Sequence, residues 1–159
     1  MAKWGTVDYR QLKKLRDNLV KLQKADMEKF CNEMSRELAG RLLGLVIPAT
    51  PVGKYPKSTG KTGGTLRRGW TGKQAGGNNA IEYAAQLPVK KSGTTYEIEV
   101  INPVYYASYV EFGHRTPGGN GWVPGQYFLT KSEQILEKNA PKWIDKKLSK
   151  VLRDAFDMR

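Results

Sequence analysis

The stretch that separates this chain from an all-helical protein is Thr94-Thr95-Tyr96-Glu97-Ile98-Glu99-Val100-Ile101-Asn102. Tyr96, Ile98 and Val100 alternate with Glu97 and Glu99, the two-residue period of a half-buried strand. Pro103 ends the run, and Ser92-Gly93 before it forms a turn to a second strand, Leu87 to Lys91, which Pro88 confines to a sheet edge. One short antiparallel pair inside 159 residues needs helices to cover it. The flanks supply them.

Upstream, residues 8–46 read as helix. Leu12, Leu15, Leu19 and Leu22 form one apolar stripe, and Met27, Phe30, Met34, Leu38, Leu42 and Leu45 form a second. Asp8 and Asp26 suit N-caps, so two helices with a bend near Ala25 are expected, and Pro48 and Pro51 should stop the second. Downstream, Tyr105 to Phe112 suits a short helix closed by Gly113, and His114 to Gly125 reads as a Gly/Pro loop. Residues 128–157 return to helical spacing, with Ile144, Leu148, Val151, Leu152 and Ala155 on one face and a kink allowed at Pro141. The reading is a single α+β domain over 1–159. It has an N-terminal helical part (8–46), a basic loop (50–79), a small twisted antiparallel sheet (87–102) and a C-terminal helix (128–157) packed on that sheet. Trp70, Ile98, Val100, Ile144 and Leu148 should form the sheet–helix core.

The charge is uneven. Twenty-seven Lys and Arg against fifteen Asp and Glu leave a formal charge of +12, which favours polyanionic partners. Between Ala39 and Ile81 there is no acid, while Arg41, Lys54, Lys57, Lys61, Arg67, Arg68 and Lys73 are all positive. Within this Gly-rich stretch only Leu66 to Thr71 looks embedded, with Leu66 and Trp70 as anchors. Lys54, Lys57, Lys61, Arg67, Arg68 and Lys73, with Tyr55 and Trp70 nearby, suit phosphate contacts or docking on an acidic neighbouring subunit. No helix-turn-helix, zinc finger or RNA-binding sheet motif accompanies the charge, so base-specific reading is not expected.

Enzymatic signals are sparse. Ser58-Thr59-Gly60-Lys61-Thr62 mimics part of a phosphate-binding loop, but Tyr55 stands where the first glycine is required and prolines replace the upstream strand. His114 is the only histidine and Cys31 the only cysteine, too few for a Cys/His metal site. Glu111 and His114 lie three apart and could meet at a helix end, the one spacing that invites an acid–base pair; a helix-end contact is the plainer reading. No catalytic residue, metal or cofactor is expected, and no run is long and apolar enough to suggest a membrane span or a signal peptide. Tyr105, Tyr106, Tyr109 and Phe112 crowd four aromatics into eight residues, more than one helix face readily buries, so Tyr105, Tyr109 and Phe112 suit a subunit interface.

Three segments, in order, resemble a known family. Thr50-Pro51-Val52, followed by Thr62-Gly63 and Leu66-Arg67-Arg68-Gly69-Trp70, is similar to a T-P-V-D-T-G-x-L-R-x-S-W signature with an insertion between its halves. Tyr106-Ala107-Ser108-Tyr109-Val110-Glu111-Phe112-Gly113 resembles Y-A-x-Y-V-E-F-G. Val123-Pro124-Gly125-Gln126-Tyr127-Phe128-Leu129 resembles the P-x-x-F-L entry to a last helix. Together they resemble the minor structural proteins of tailed phages typified by HK97 gene product ten, which include neck and tail-completion proteins. The sequence departs from the pattern in the basic insertion after Val52 and at Lys73 to Ala85. The resemblance implies a non-enzymatic virion protein, assembled in the host cytoplasm. It implies a homo-oligomeric ring at the head–tail junction, between portal or adaptor and tail proteins, with genomic DNA in its channel. Roughly six-fold tail symmetry implies a hexamer, with a ring of about twelve matching a portal as the alternative. On this reading Gly63 allows a tight turn and Arg67 and Arg68 point outward, toward solvent, DNA or a neighbour. A stand-alone, non-specific nucleic-acid-binding accessory protein is the competing reading.

Overall fold

The computed structural model describes residues 13, 14, 16, 17, 20, 24–71 and 79–156. Its elements are α1 (Lys24–Ala49), a 3-10 turn (Lys57–Thr59), α2 (Thr65–Gly69), α3 (Asn79–Gln86), β1 (Val89–Ser92), β2 (Thr95–Ile98), α4 (Ala107–Phe112), β3 (Gly113–Arg115), β4 (Trp122–Pro124) and α5 (Phe128–Phe156). The fold is α+β: helices around two small antiparallel sheets, with a C-terminal helix packed against the rest. Asp8 and the first stripe, Leu12, Leu15, Leu19 and Leu22, lie outside the described residues, and α1 is already helical at Ala25 and Asp26, so Asp26 does not cap its start.

The strand pair forms as its alternation predicts. Val89 pairs with Ile98 and Ser92 with Thr95 around the Gly93-Thr94 turn, where Gly93 takes φ +60°. Tyr96 and Ile98 are half-buried while Thr95 and Glu97 face solvent. His114 to Gly125 is not an irregular loop. Gly113 to Arg115 and Trp122 to Pro124 pair as a second hairpin, closed by the Thr116 N–H donating to the Gly121 carbonyl at 3.0 Å. Two three-residue strands separated by glycines carry too little periodicity to be read from sequence.

The core lies on the helices. Ala39, Leu43 and Val46 of α1 close over Leu66, Trp70, Ala80, Ala84 and Phe128, with Ile98, Val100 and Val104 packed at the margin. The buried face of α1 is thus turned from the expected one. Phe30 and Met34 are buried, but Leu38, Leu42 and Leu45 are only half-buried and Met27 is exposed. The reason is α3, which the sequence reading passed over inside an apparent insertion. Ala80 and Ala84 present a smooth surface to α1, and a Cβ built on Gly40 would sit 3.5 Å from that of Ala84, so the two helices approach closely on small residues. α1 also runs on through Pro48 to Ala49 instead of stopping before it.

α5 is continuous through Pro141. Its first residue, Phe128, is buried edge-on against Trp70, with ring centroids 6.3 Å apart, and this end alone enters the core. Ile144 and Leu148 stand outside the cluster and are half-buried, contrary to the expected sheet–helix core. Along α1 the helix is held by polar contacts. Arg41 stacks over Trp143 at 4.2 Å, and Lys147 reaches Glu37 at 3.1 Å and Glu33 at 3.8 Å. Partial burial pushes the Glu37 carboxyl up, but hydrogen bonds from Arg41 and Lys147 outweigh it and hold the group below its usual value. A lowered carboxylate pKa contributes stability above the ordinary glutamate range that is lost as pH falls through the folded value.

Leu43→Ala should therefore destabilise the protein by about 2–5 kcal/mol, and Leu148→Ala by less than about 2 kcal/mol. Denaturant unfolding of both variants checks the order. Equal losses would mean that α5 is docked along its whole length by apolar contact.

Candidate assembly surface

The residues that carry the three sequence segments divide into a frame and a surface. Thr50 is the hub of the first segment. Its hydroxyl, wholly buried, donates to the Val46 carbonyl at 2.6 Å and accepts from the Trp70 indole N–H at 2.8 Å. Its carbonyl accepts from Arg67 Nε and Nη2 at 3.1 and 2.7 Å, and Nη2 also reaches the Pro48 carbonyl at 3.2 Å. Arg67 thus meets the carbonyls at the end of α1, where helical C=O groups lack partners and a cation is favoured. It does not point outward as expected. Arg68 is likewise turned inward, Nη1 donating to the Gly63 carbonyl at 3.2 Å. The Asn102 side chain locks the strand exit to α2 by donating to the Leu66 carbonyl at 2.8 Å.

Glu111 is the hub of the other two segments. Its side chain is buried, 3 % exposed, and both oxygens are used. Oε2 accepts from the Leu129 N–H at 2.9 Å, and Oε1 from the Thr130 N–H at 2.9 Å and the Thr130 hydroxyl at 2.7 Å. These are N–H groups of the first turn of α5, which have no partner within a helix and favour a negative charge. The backbone tightens the same joint: the Gln126 N–H donates to the Val110 carbonyl at 2.9 Å and the Tyr127 N–H to the Glu111 carbonyl at 3.1 Å. The joint also dictates its glycines. Gly113 has φ +89°, and a Cβ there would meet the Val123 carbonyl at 2.5 Å; a Cβ on Gly125 would run into the Glu111 carbonyl. Tyr127, with φ +53°, is the one non-glycine described residue in the left-handed region, held there by these bonds.

This geometry removes the only acid–base pair that the sequence offered. The Glu111 carboxylate is committed to α5, and His114 Nδ1 lies 3.5 Å from the Tyr109 carbonyl with its ring against Tyr109. Among the described residues no group of His, Cys, Asp and Glu is arranged to hold a metal ion, and no helix is long and apolar enough to cross a membrane.

What the frame leaves outside is aromatic. Tyr105 is 87 % exposed, and Tyr109, Phe112, Trp122 and Tyr127 each expose roughly half of their surface, with Val123 beside them. Tyr105 rests edge-on against half-buried Tyr106, Phe112 against Tyr127 with centroids 6.5 Å apart, and the Tyr109 ring lies tilted against His114 of β3. Exposed aromatic rings thus gather around α4 and its joint with the β3–β4 hairpin. Sequence reasoning named Tyr105, Tyr109 and Phe112 and missed Trp122, Val123 and Tyr127, whose place depends on the hairpin. The basic loop supplies a second exposed group. Lys54, Lys57 and Lys61 are exposed and have no carboxylate partner among the described residues, and Tyr55 stands out beside them. Lys73 lies outside the described residues.

Residues 13–113 match the family described as "Bacteriophage HK97-gp10, putative tail-component". No curated protein and no solved structure matches the chain.

Glu111→Ala should cost about 2–4 kcal/mol, because two backbone N–H groups and a hydroxyl lose a buried charged acceptor. Arg67→Gln should also destabilise, whereas Lys57→Gln and Lys61→Gln should stay within about 0.5 kcal/mol of the parent. Denaturant titration reads all four. A neutral Glu111→Ala would show that the first turn of α5 does not need the carboxylate.

Proposed function

Since the chain belongs to the bacteriophage HK97-gp10 family, we propose that this phage tail component forms a ring at the head–tail junction, as a neck or tail-completion protein. The observation that carries the reading is the aromatic face of α4 and the β3–β4 hairpin. Six exposed apolar side chains between Tyr105 and Tyr127, on α4, the hairpin and their joint, exceed the scattered exposure that a monomer tolerates, and Tyr and Trp are enriched at protein interfaces. A contact between unlike patches, repeated about an axis, closes into a ring. Six-fold tail symmetry favours a hexamer, with a ring of about twelve against the portal as the other closed form. Portal or adaptor and tail proteins are its neighbours on this reading.

The exposed cations fit the same role. Lys54, Lys57 and Lys61 share a segment with Arg67 and Arg68, which are turned inward, so among its described residues the outward charge is on these lysines. Facing a DNA channel they would contact phosphates without reading sequence. Facing an acidic ring they would steer docking.

Tyr105→Ala and Tyr109→Ala should raise the concentration for half-assembly about tenfold while leaving the melting temperature nearly unchanged, since neither ring is buried in the monomer. Sedimentation velocity with parallel thermal unfolding tests this; intact assembly with a collapsed melting temperature would return both residues to the core. Changing Lys54, Lys57 and Lys61 together to Gln should lower the log–log salt slope of DNA binding by about 0.9 per lost phosphate contact. If DNA binding is unchanged and heads fail to join tails, the lysines serve a neighbouring ring. If the chain binds DNA as a monomer and is absent from particles, the accessory-protein reading replaces the structural one.

A further inference from the structure

The aromatic face implies a counterpart, and the remaining surface narrows where that counterpart lies. From Val100 to Ser132 the only acid is Glu111, which is buried in the α5 joint. Along this segment the exposed charges are therefore Arg115 and Lys131, and an exposed carboxylate near it, that of Glu99 on the extension of β2, lines one cavity with Phe112. A second identical segment would set Arg115 and Lys131 against their own copies, whereas an unlike patch that carries acid would pair them. The counterpart should combine exposed apolar surface with exposed acid.

Several described places do so, among them Ile81 with Glu82 on α3, Ile135 with Glu133 and Glu137 on α5, Leu152 with Asp154 on α5, and Ile101 with Glu97 and Glu99 on β2 and its extension. Only the last also offers unpaired backbone. In a ladder closed by a two-residue turn, Tyr96 and Ile98 aim their N–H and C=O groups away from β1, and no backbone hydrogen bond outside the ladder engages them or Val100 among the described residues. The in-and-out alternation continues past the strand, with Glu99 and Ile101 exposed and Val100 and Asn102 half-buried. The β3–β4 hairpin has the matching deficit. It is a two-stranded arm, its residues Arg115 and Trp122 flank the closing Thr116–Gly121 bond and turn their backbone groups outward, and the whole of β4 is exposed. Glu99 does lie 3.7 Å from Lys90, but both ends are exposed, so that pair is weak and exchangeable, and Glu97 has no ion-pair partner among the described residues.

Resting on the ring reading, we propose that the β3–β4 arm of one copy lies along the Glu97–Ile101 edge of the next copy, joining the two hairpins into one sheet across the subunit boundary. Trp122 and Arg115, cross-strand partners on one face of the arm, would lie on the Glu97, Glu99 and Ile101 face, with Trp122 over Ile101 and Arg115 toward Glu97. The contact joins unlike surfaces and propagates around an axis, as a ring requires.

A charge exchange tests it. Arg115→Glu and Glu97→Arg, each alone, should raise the half-assembly concentration about tenfold, and the double variant should return it to within about threefold of the parent. Unchanged circular dichroism melting would exclude misfolding, and Ile101→Cys with Trp122→Cys in a Cys31→Ser chain should give an oxidised ladder of linked subunits. If the single variants assemble like the parent, or the double variant is worse than either, or no ladder forms in an assembled ring, the arm docks elsewhere and only this contact is overturned. A parent chain that stays monomeric at all concentrations and in particles would overturn the ring and the contact together.

Discussion

The carboxylate of Glu111, buried between α4 and α5, is the interaction on which the remaining geometry depends. It holds the first turn of a 29-residue helix by its backbone N–H groups. That fixes where Phe128 enters the core, and Phe128 meets Trp70 edge-on. Trp70 in turn is tied through its indole N–H to Thr50, whose carbonyl receives Arg67 at the end of α1. These contacts thus tie together four helices, α4, α5, α2 and the end of α1. The β3–β4 arm leaves and returns at the same joint, so the carboxylate also sets the angle at which the aromatic face is presented. Because the acceptor is charged and the donors are backbone groups otherwise without partners, the joint has one satisfactory geometry and few near alternatives.

The sequence was legible where a local pattern and the final environment agreed. Tyr96, Ile98 and their alternating glutamates pair as a half-buried strand should, and Leu66 and Trp70 anchor an otherwise polar stretch. It was misleading where a second partner changed the environment. The deepest face of α1 runs through Ala39, Leu43 and Val46 because α3 packs beside it, and α3 has only eight residues. Ala80, Tyr83, Ala84 and Leu87 hold the helical spacing that would have revealed it. Two alanines give little hydrophobic signal, yet they are what lets two helices approach closely. Arg67 and Arg68 show the reverse failure. As charges in a basic loop they read as outward-facing, and nothing local signals that carbonyls at a helix end and in a glycine turn await them.

The division between frame and surface bears on what such a protein can do. The polar groups of these segments, Thr50, Arg67 and Glu111, are engaged within the fold, and His114 meets the Tyr109 carbonyl and ring. Chemistry at these positions serves shape. Among the described residues, what remains outside includes an exposed aromatic group around α4, an acidic strand edge and the lysines of the basic segment, the equipment of a part that fits between others. Membership in a family of phage tail components gives that equipment its context.

The central claim is that the chain is a stoichiometric part of the virion. Quantitative mass spectrometry of purified particles, assembled from the genome that encodes it, tests this most directly. The account predicts a fixed low copy number, about six or about twelve per particle, unchanged by high-salt washing and retained after the DNA has left. Infectious particles that lack the chain, or that carry it in variable amounts removed by salt, would contradict it.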